Sequence, residues 1–112
     1  MVTYKAKKCV IDGITFDSKK EGKRYGELKE LEAIGEITDL RTQVKFELIP
    51  SQRIRGKVVE RAVTYKADFT YYQNGVYKVE DVKSSKRMIR PEYIIKRKLM
   101  LYVKGIQVIE IY

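Results

Sequence analysis

No histidine occurs in the 112 residues, and Cys9 is the only cysteine. Without an imidazole there is no Ser-His-Asp or Cys-His triad, no zinc site of the usual Cys/His spacing, and no metal-dependent nuclease design that relies on a histidine base. A lone cysteine excludes an internal disulfide framework and fits a reducing compartment. Also missing is any run of about eighteen apolar residues, and the basic start from Val2 to Lys8 leads into no long apolar stretch. A soluble, cytoplasmic protein with no membrane partner is therefore expected. Its chemistry must come from carboxylates and lysines.

Charge is what the sequence has in surplus. Lys and Arg number 24 against 15 Asp and Glu, a net charge of +9 with a pI near 9.6. Such a balance points to a polyanionic partner, and nucleic acid is the commonest. The length predicts one domain over residues 1–112. A chain of this size buries roughly two thirds of the surface its unfolded form exposes, enough for a sheet with helices packed on it.

Cys9-Val10-Ile11, Asp12-Gly13 and Ile14-Thr15-Phe16 read as a short N-terminal hairpin, because Asp-Gly suits a turn with positive φ. Ser18 and Glu21 have the spacing of a capping box and Gly35 lies past the last periodic residue, which predicts a helix over about 19–34. Its inward stripe holds Tyr25, Leu28 and Leu31 or Glu32. Val44, Phe46 and Leu48 alternate with polar residues up to Pro50, as in a half-buried strand. Ser51 to Lys57 reads as an exposed loop, and Val58 to Tyr72 as one long, bent strand. Asn74-Gly75 turns that strand back into Val76 to Lys83. After a basic loop, Pro91 opens a second helix with an Ile95, Leu99, Tyr102 stripe, closed by Gly105. Ile106 to Ile111, apolar on both faces, is expected inside the sheet as a strand parallel to its predecessor.

A two-residue hairpin at Asn74-Gly75 sets Gln73 against Val76 and, counting back, Asp68 against Asp81 and Lys66 against Lys83. Carboxylates about 5 Å apart on adjacent strands repel by about 3 kcal/mol at an effective dielectric of about 20. A divalent cation such as Mg²⁺, bound by one or two carboxylates and water, would hold them. So would pairing with Lys66 and Lys83, which would make the acids an ordinary charged strand surface. Strand alternation places Lys83 on the face of Asp81, and Glu80 on the other face as a solvated or salt-bridged residue. Glu21 has two readings. It is the capping-box glutamate, or, at the head of the Glu21, Tyr25, Leu28 stripe, a third ligand.

Glu21 on the first helix, Ala67-Asp68-Phe69, and Val79-Glu80-Asp81-Val82-Lys83 followed by a helix and a strand resemble the PD-(D/E)xK nuclease superfamily. The similarity is closest to small phage and prophage members and to the endonuclease I type of Holliday-junction resolvase, which Thr64 to Phe69 also resembles. It spans about residues 9–111. The resemblance implies an α/β fold with an αβββαβ core, a mixed sheet flanked by helices. It implies Asp68 as central metal ligand, Asp81 as second ligand, Glu21 completing the acidic cluster, Lys83 beside the attacking water, and the Val82 carbonyl as a further oxygen. Gln43 is an auxiliary residue or an exposed strand glutamine. Ala67 replaces the proline of the motif, an aspartate fills the (D/E) position, and Ser84 stands where the resolvases often have glycine. The implied cofactor is Mg²⁺, with Mn²⁺ able to substitute.

From Ser84 to Lys104 there are seven cations, Lys86, Arg87, Arg90, Lys96, Arg97, Lys98 and Lys104, against Glu92 alone. With Arg53 and Arg55 they are phosphate-binding candidates, although Lys96, Arg97 and Lys98 also fit the wet side of an amphipathic helix. The expected function is a Mg²⁺-dependent DNA endonuclease, a phage-derived resolvase or recombination nuclease acting on branched DNA. The alternatives are a non-catalytic nucleic-acid-binding module and a transposon-end or restriction-type nuclease. Paired incisions favour a homodimer, for which the apolar hairpin Cys9 to Phe16 is a candidate contact surface unless it caps the core.

Overall fold

The computed structural model describes residues 7–86 and 89–112. A hairpin of β1 (Cys9–Ile11) and β2 (Ile14–Phe16) precedes α1 (Lys19–Ala33). Then come β3 (Thr38–Ile49), β4 (Gln52–Ile54), β5 (Lys57–Glu60), β6 (Val63–Gln73), β7 (Val76–Val82), α2 (Pro91–Lys104) and β8 (Ile109–Ile111). The main sheet has the order β3-β6-β7-β8, antiparallel except for the parallel pair β7 and β8. The protein is thus a mixed α/β fold with a mixed sheet flanked by helices. Among the described residues no helix is long and apolar enough to cross a membrane.

Two apolar clusters hold the sheet. Tyr25 and Leu28 of α1 pack with Phe16, Ile37, Phe69 and Tyr71. Tyr93 and Met100 of α2 pack with Leu48, Tyr65, Ala67, Val79 and Val108. The β1–β2 hairpin closes the first cluster, since Phe16 is fully buried and Ile11 and Ile14 pack against it. Its apolar residues therefore cap the core, and among them Val10 is the one left strongly exposed. Gly22 permits this approach, because a β-carbon there would stand 2.5 Å from Cys9 Sγ.

Along β7 the side chains alternate regularly, Val79 to the α2 cluster and Val82 to the α1 cluster. In β6 the alternation resets. Tyr65 and Ala67 join the α2 cluster whereas Phe69 and Tyr71 join the α1 cluster, so the strand exchanges faces at Asp68. Opposite it in β3, Gln43 lies between the pairs Thr42↔Phe69 and Val44↔Ala67 with a φ of 53°, and β3 changes face as well, from Leu40 to Phe46 and Leu48. A left-handed non-glycine residue inside a strand is uncommon. It redirects the side chains on either side of it.

Several expectations need correction. Val58 to Tyr72 is not one strand, and Ser51 to Lys57 is not all loop. β4 and β5 form their own hairpin, turned at Arg55-Gly56, and β6 begins only at Val63. The second helix has its predicted limits, with Pro91 in its first turn and Gly105 in the left-handed conformation. Of the expected stripe Leu99 packs against the α2 cluster, but Ile95 is 59% and Tyr102 88% exposed, and Tyr93 and Met100 are the buried residues. The apolar run is nearly continuous around α2, so periodicity alone did not single out a face. β8 is an edge strand of three residues, paired with β7 only.

Candidate active site

Ser18 caps α1, its hydroxyl accepting from the Glu21 N–H at 3.1 Å. The cap uses the backbone of Glu21. The Glu21 side chain, 6% exposed, instead hydrogen-bonds the carboxyl of Asp68. Burial, and then this bond to a second carboxyl, push Asp68 up to about 8, against the opposing effect of the Val82 N–H that donates to its Oδ2 at 2.7 Å. The raised Asp68 carboxyl and Glu21 thus face each other as neighbouring acids in a partly buried place.

The register set by Asn74-Gly75 runs as expected from Gln73↔Val76 to Phe69↔Glu80. Asp68 and Asp81 are not its next rung. At the face exchange β6 leaves the ladder, Val82 N–H bonds the Asp68 side chain, and Lys66 pairs with Lys45 of β3 and not with Lys83. Asp81 still lies close enough to raise the Asp68 carboxyl electrostatically. Its own oxygens are engaged by the Tyr65 hydroxyl at 2.6 Å and by Lys83 Nζ at 2.7 Å. Lys83 is thus on the face of Asp81, as alternation requires.

Lys83 is fixed from three sides. Its ammonium stands 3.2 Å from the ring centroid of Tyr93, a cation–π contact. Its carbonyl accepts from Lys20 Nζ at 2.6 Å, and its N–H donates to the Ile111 carbonyl at 2.7 Å. Burial and the neighbouring Asp81 raise the Tyr65 hydroxyl far above its usual range, so Tyr65 stays a donor. Tyr93 is likewise raised, by burial and its 2.8 Å bond to Glu110.

These groups line one cleft of about 610 Å³. Glu21, Asp68, Asp81, Val82 and Lys83 form its floor, and Arg90 and Lys96 are on its wall. Other predicted cations are elsewhere. Arg97 donates to Glu110 at 2.8 Å and lines a separate depression, Lys86 stands over the Tyr112 ring, and Arg53 and Arg55 belong to the β4–β5 hairpin. Arg87 lies outside the described residues. Sequence reasoning missed Tyr65, Tyr93 and Lys20. Tyr65 carried a signal, being the residue two before Ala67 on its strand; Tyr93 and Lys20 are joined to Lys83 only by tertiary packing.

Glu80, on the opposite face, is salt-bridged and not solvated. Arg24 binds both its oxygens, at 2.8 and 2.6 Å, and the Tyr71 hydroxyl donates to it as well.

Three carboxylates from α1, β6 and β7 are the hard oxygen donors that Mg²⁺ or Mn²⁺ takes. Among the described residues, however, no group of three or more His, Cys, Asp or Glu is drawn together closely enough to hold a metal ion. Asp81 is occupied by Tyr65 and Lys83, and Asp68 by Glu21 and Val82.

Comparison with curated proteins and with solved structures returned no match. A family model described as a protein of unknown function (DUF1064) matches residues 1–108, and the chain therefore belongs to the DUF1064 family.

Proposed function

We propose that the protein is a metal-dependent DNA endonuclease with a PD-(D/E)xK core, a phage-type resolvase or recombination nuclease whose phosphodiester hydrolysis takes place in the Asp68–Asp81 cleft. One observation carries this reading: Glu21 of α1, Asp68 of β6, and Asp81 and Lys83 at the end of β7, far apart in sequence, line the same cleft. The element order supports it too. With the two hairpins set aside, α1, β3, β6, β7, α2 and β8 follow one another as αβββαβ.

The residues divide the work of hydrolysis. Lys20, Lys66, Arg90 and Lys96 surround the floor and attract a phosphate backbone. Lys83, steadied by Tyr93, supplies the positive charge nearest the reacting phosphorus and orients the water that attacks it. Tyr65 holds Asp81 in place. Asp68, Asp81, Glu21 and the Val82 carbonyl would hold Mg²⁺, or Mn²⁺ in its place, and the chemistry supplied there is Lewis-acid activation of water and charge neutralisation. Such an ion would stand in place of the Asp68–Glu21 and Lys83–Asp81 contacts.

The test is incubation with Mg²⁺ on linear, nicked, flapped and four-way DNA. Metal-dependent cleavage, strongest on branched substrates, is expected. Tight DNA binding with no cleavage of any substrate would establish the rival reading, a nucleic-acid-binding module in which the Lys83–Asp81 pair is structural. Paired incision across a junction needs two sites at fixed separation, so a homodimer is expected. Sedimentation showing only a 13.2 kDa species with and without junction DNA would exclude it.

A further inference from the structure

All residues from Pro50 to Ala62 are exposed, and β4 and β5 pair with each other while packing against no other element to any substantial degree among the described residues. The hairpin is an arm. It carries Arg53, Arg55, Lys57 and Arg61 against Glu60 alone, and none of the four is in an ion pair among the described residues.

Its turn contains an unusual residue. Three hairpins in this chain turn on a residue followed by glycine, both with positive φ: Asp12-Gly13 at 54° and 75°, Asn74-Gly75 at 51° and 76°, and Arg55-Gly56 at 50° and 77°. Aspartate and asparagine tolerate the left-handed region; arginine has no such excuse, and its Cβ is strained there. Arg55 therefore works against the turn it occupies. What it gains is a guanidinium at the outermost point of the arm, next to Lys57 and to Arg53, whose Nη1 donates to the Gly56 carbonyl at 3.2 Å.

We propose that the β4–β5 arm enters the major groove of duplex DNA flanking the cleft, its cations reaching the phosphates on both sides. A major groove admits a two-stranded antiparallel ribbon. Phosphate binding by an arm that does not line the cleft positions the duplex without reading its sequence. The proposal rests on the protein being a DNA-binding enzyme, and it assigns the arm to the duplex next to the reacting phosphate.

Binding is measured to a 30-base-pair duplex in EDTA, so that cleavage plays no part. Arg53→Ala, Arg55→Ala and Lys57→Ala together should weaken binding by on the order of 10- to 100-fold near physiological salt and flatten the log Kd against log salt slope by about 0.9 for each phosphate left without its cation. The melting temperature should not move, because the arm packs on no other element to any substantial degree among the described residues. Arg55→Asn is the sharper variant: it relieves the turn, so the melting temperature stays or rises, yet DNA binding falls by about 5-fold. Wild-type-like affinity and salt slope in both variants, with Lys96→Ala weakening binding, would overturn the arm alone. A wild-type chain that binds no DNA overturns the arm and the endonuclease reading together. The exposed Ile54, Val58 and Val59 offer the rival partner, a second copy of the chain. If Ile54→Ser with Val58→Ser halves the sedimenting mass while the cation variants leave DNA affinity unchanged, the arm is a dimer interface and the proposal fails.

Discussion

Glu80 and Asp81 stand next to each other in β7, 1% and 7% exposed, and point to opposite faces of the sheet. Glu80 meets an arginine fork on both oxygens and a tyrosine hydroxyl, in a place no solvent reaches. Burial of a carboxylate is tolerated there because both oxygens have fixed donors, one of them charged. Asp81 meets a tyrosine and a lysine at the floor of an open cleft. A lysine is a point charge on a flexible stem, able to leave without breaking a planar fork. The contrast separates an acid locked into the fold from an acid that lines an open cleft, although one peptide bond joins them.

The largest expected effect tests the open side. Asp81→Asn or Asp68→Asn should lower cleavage by a factor on the order of 10³ or more while DNA affinity is kept or raised, because a carboxylate that repels phosphate has gone. Cleavage and binding assays on the same preparations decide this, and full activity in either variant sinks the site assignment. On the closed side the reverse is expected. Glu80→Gln leaves Arg24 without its counter-charge and should cost about 3 kcal/mol in denaturant unfolding, with turnover per folded molecule little changed.

The next effect is graded with pH. The Asp68 carboxyl is raised in the folded protein, to about 8, and is ordinary in the unfolded chain. The native state therefore binds more protons than the unfolded state between about pH 4 and pH 8, so stability falls as pH rises through that window. Thermal melts at pH 5, 7 and 9 should show the decline, Asp68→Asn should flatten it, and Mg²⁺ should restore most stability at the alkaline end. The smallest effect separates cap from site. Ser18→Ala should cost about 1 kcal/mol with near-normal turnover, whereas Glu21→Gln should impair cleavage far more than stability. Equal loss of both in the two variants would return Glu21 to a purely capping role.

Local signals in the sequence were enough for much of this architecture. The Asp12-Gly13 and Asn74-Gly75 turns, the Ser18 cap and the Pro91 to Gly105 limits all depend on backbone preferences of a few neighbouring residues, and all are found where expected. Glu21, Asp68, Asp81 and Lys83 line one cleft, as the helix stripe and the motif resemblance implied, but the direct Asp68–Asp81 pairing counted from the Asn74-Gly75 turn is not formed. What escaped depends on distant partners. The arm shows no alternation because nothing covers it, and α2 has apolar residues on too many sides for its sequence to choose between Tyr102 and Met100. The work of Tyr65 and Tyr93 is set by what stands opposite each hydroxyl and ring, which spacing along the chain does not encode.

The exchange of faces at Asp68 and Gln43 has a mechanical consequence. Asp68 sits at the seam between two separately packed cores, reached by Glu21 from the α1 side and by Asp81 from the α2 side. The cleft floor thus draws on both faces of one sheet. Opening of the α2 core alone would carry off Tyr93 and the support of Lys83 while leaving the Glu21–Asp68 pair on the α1 core, so local unfolding that leaves most of the chain native is enough to disassemble the site.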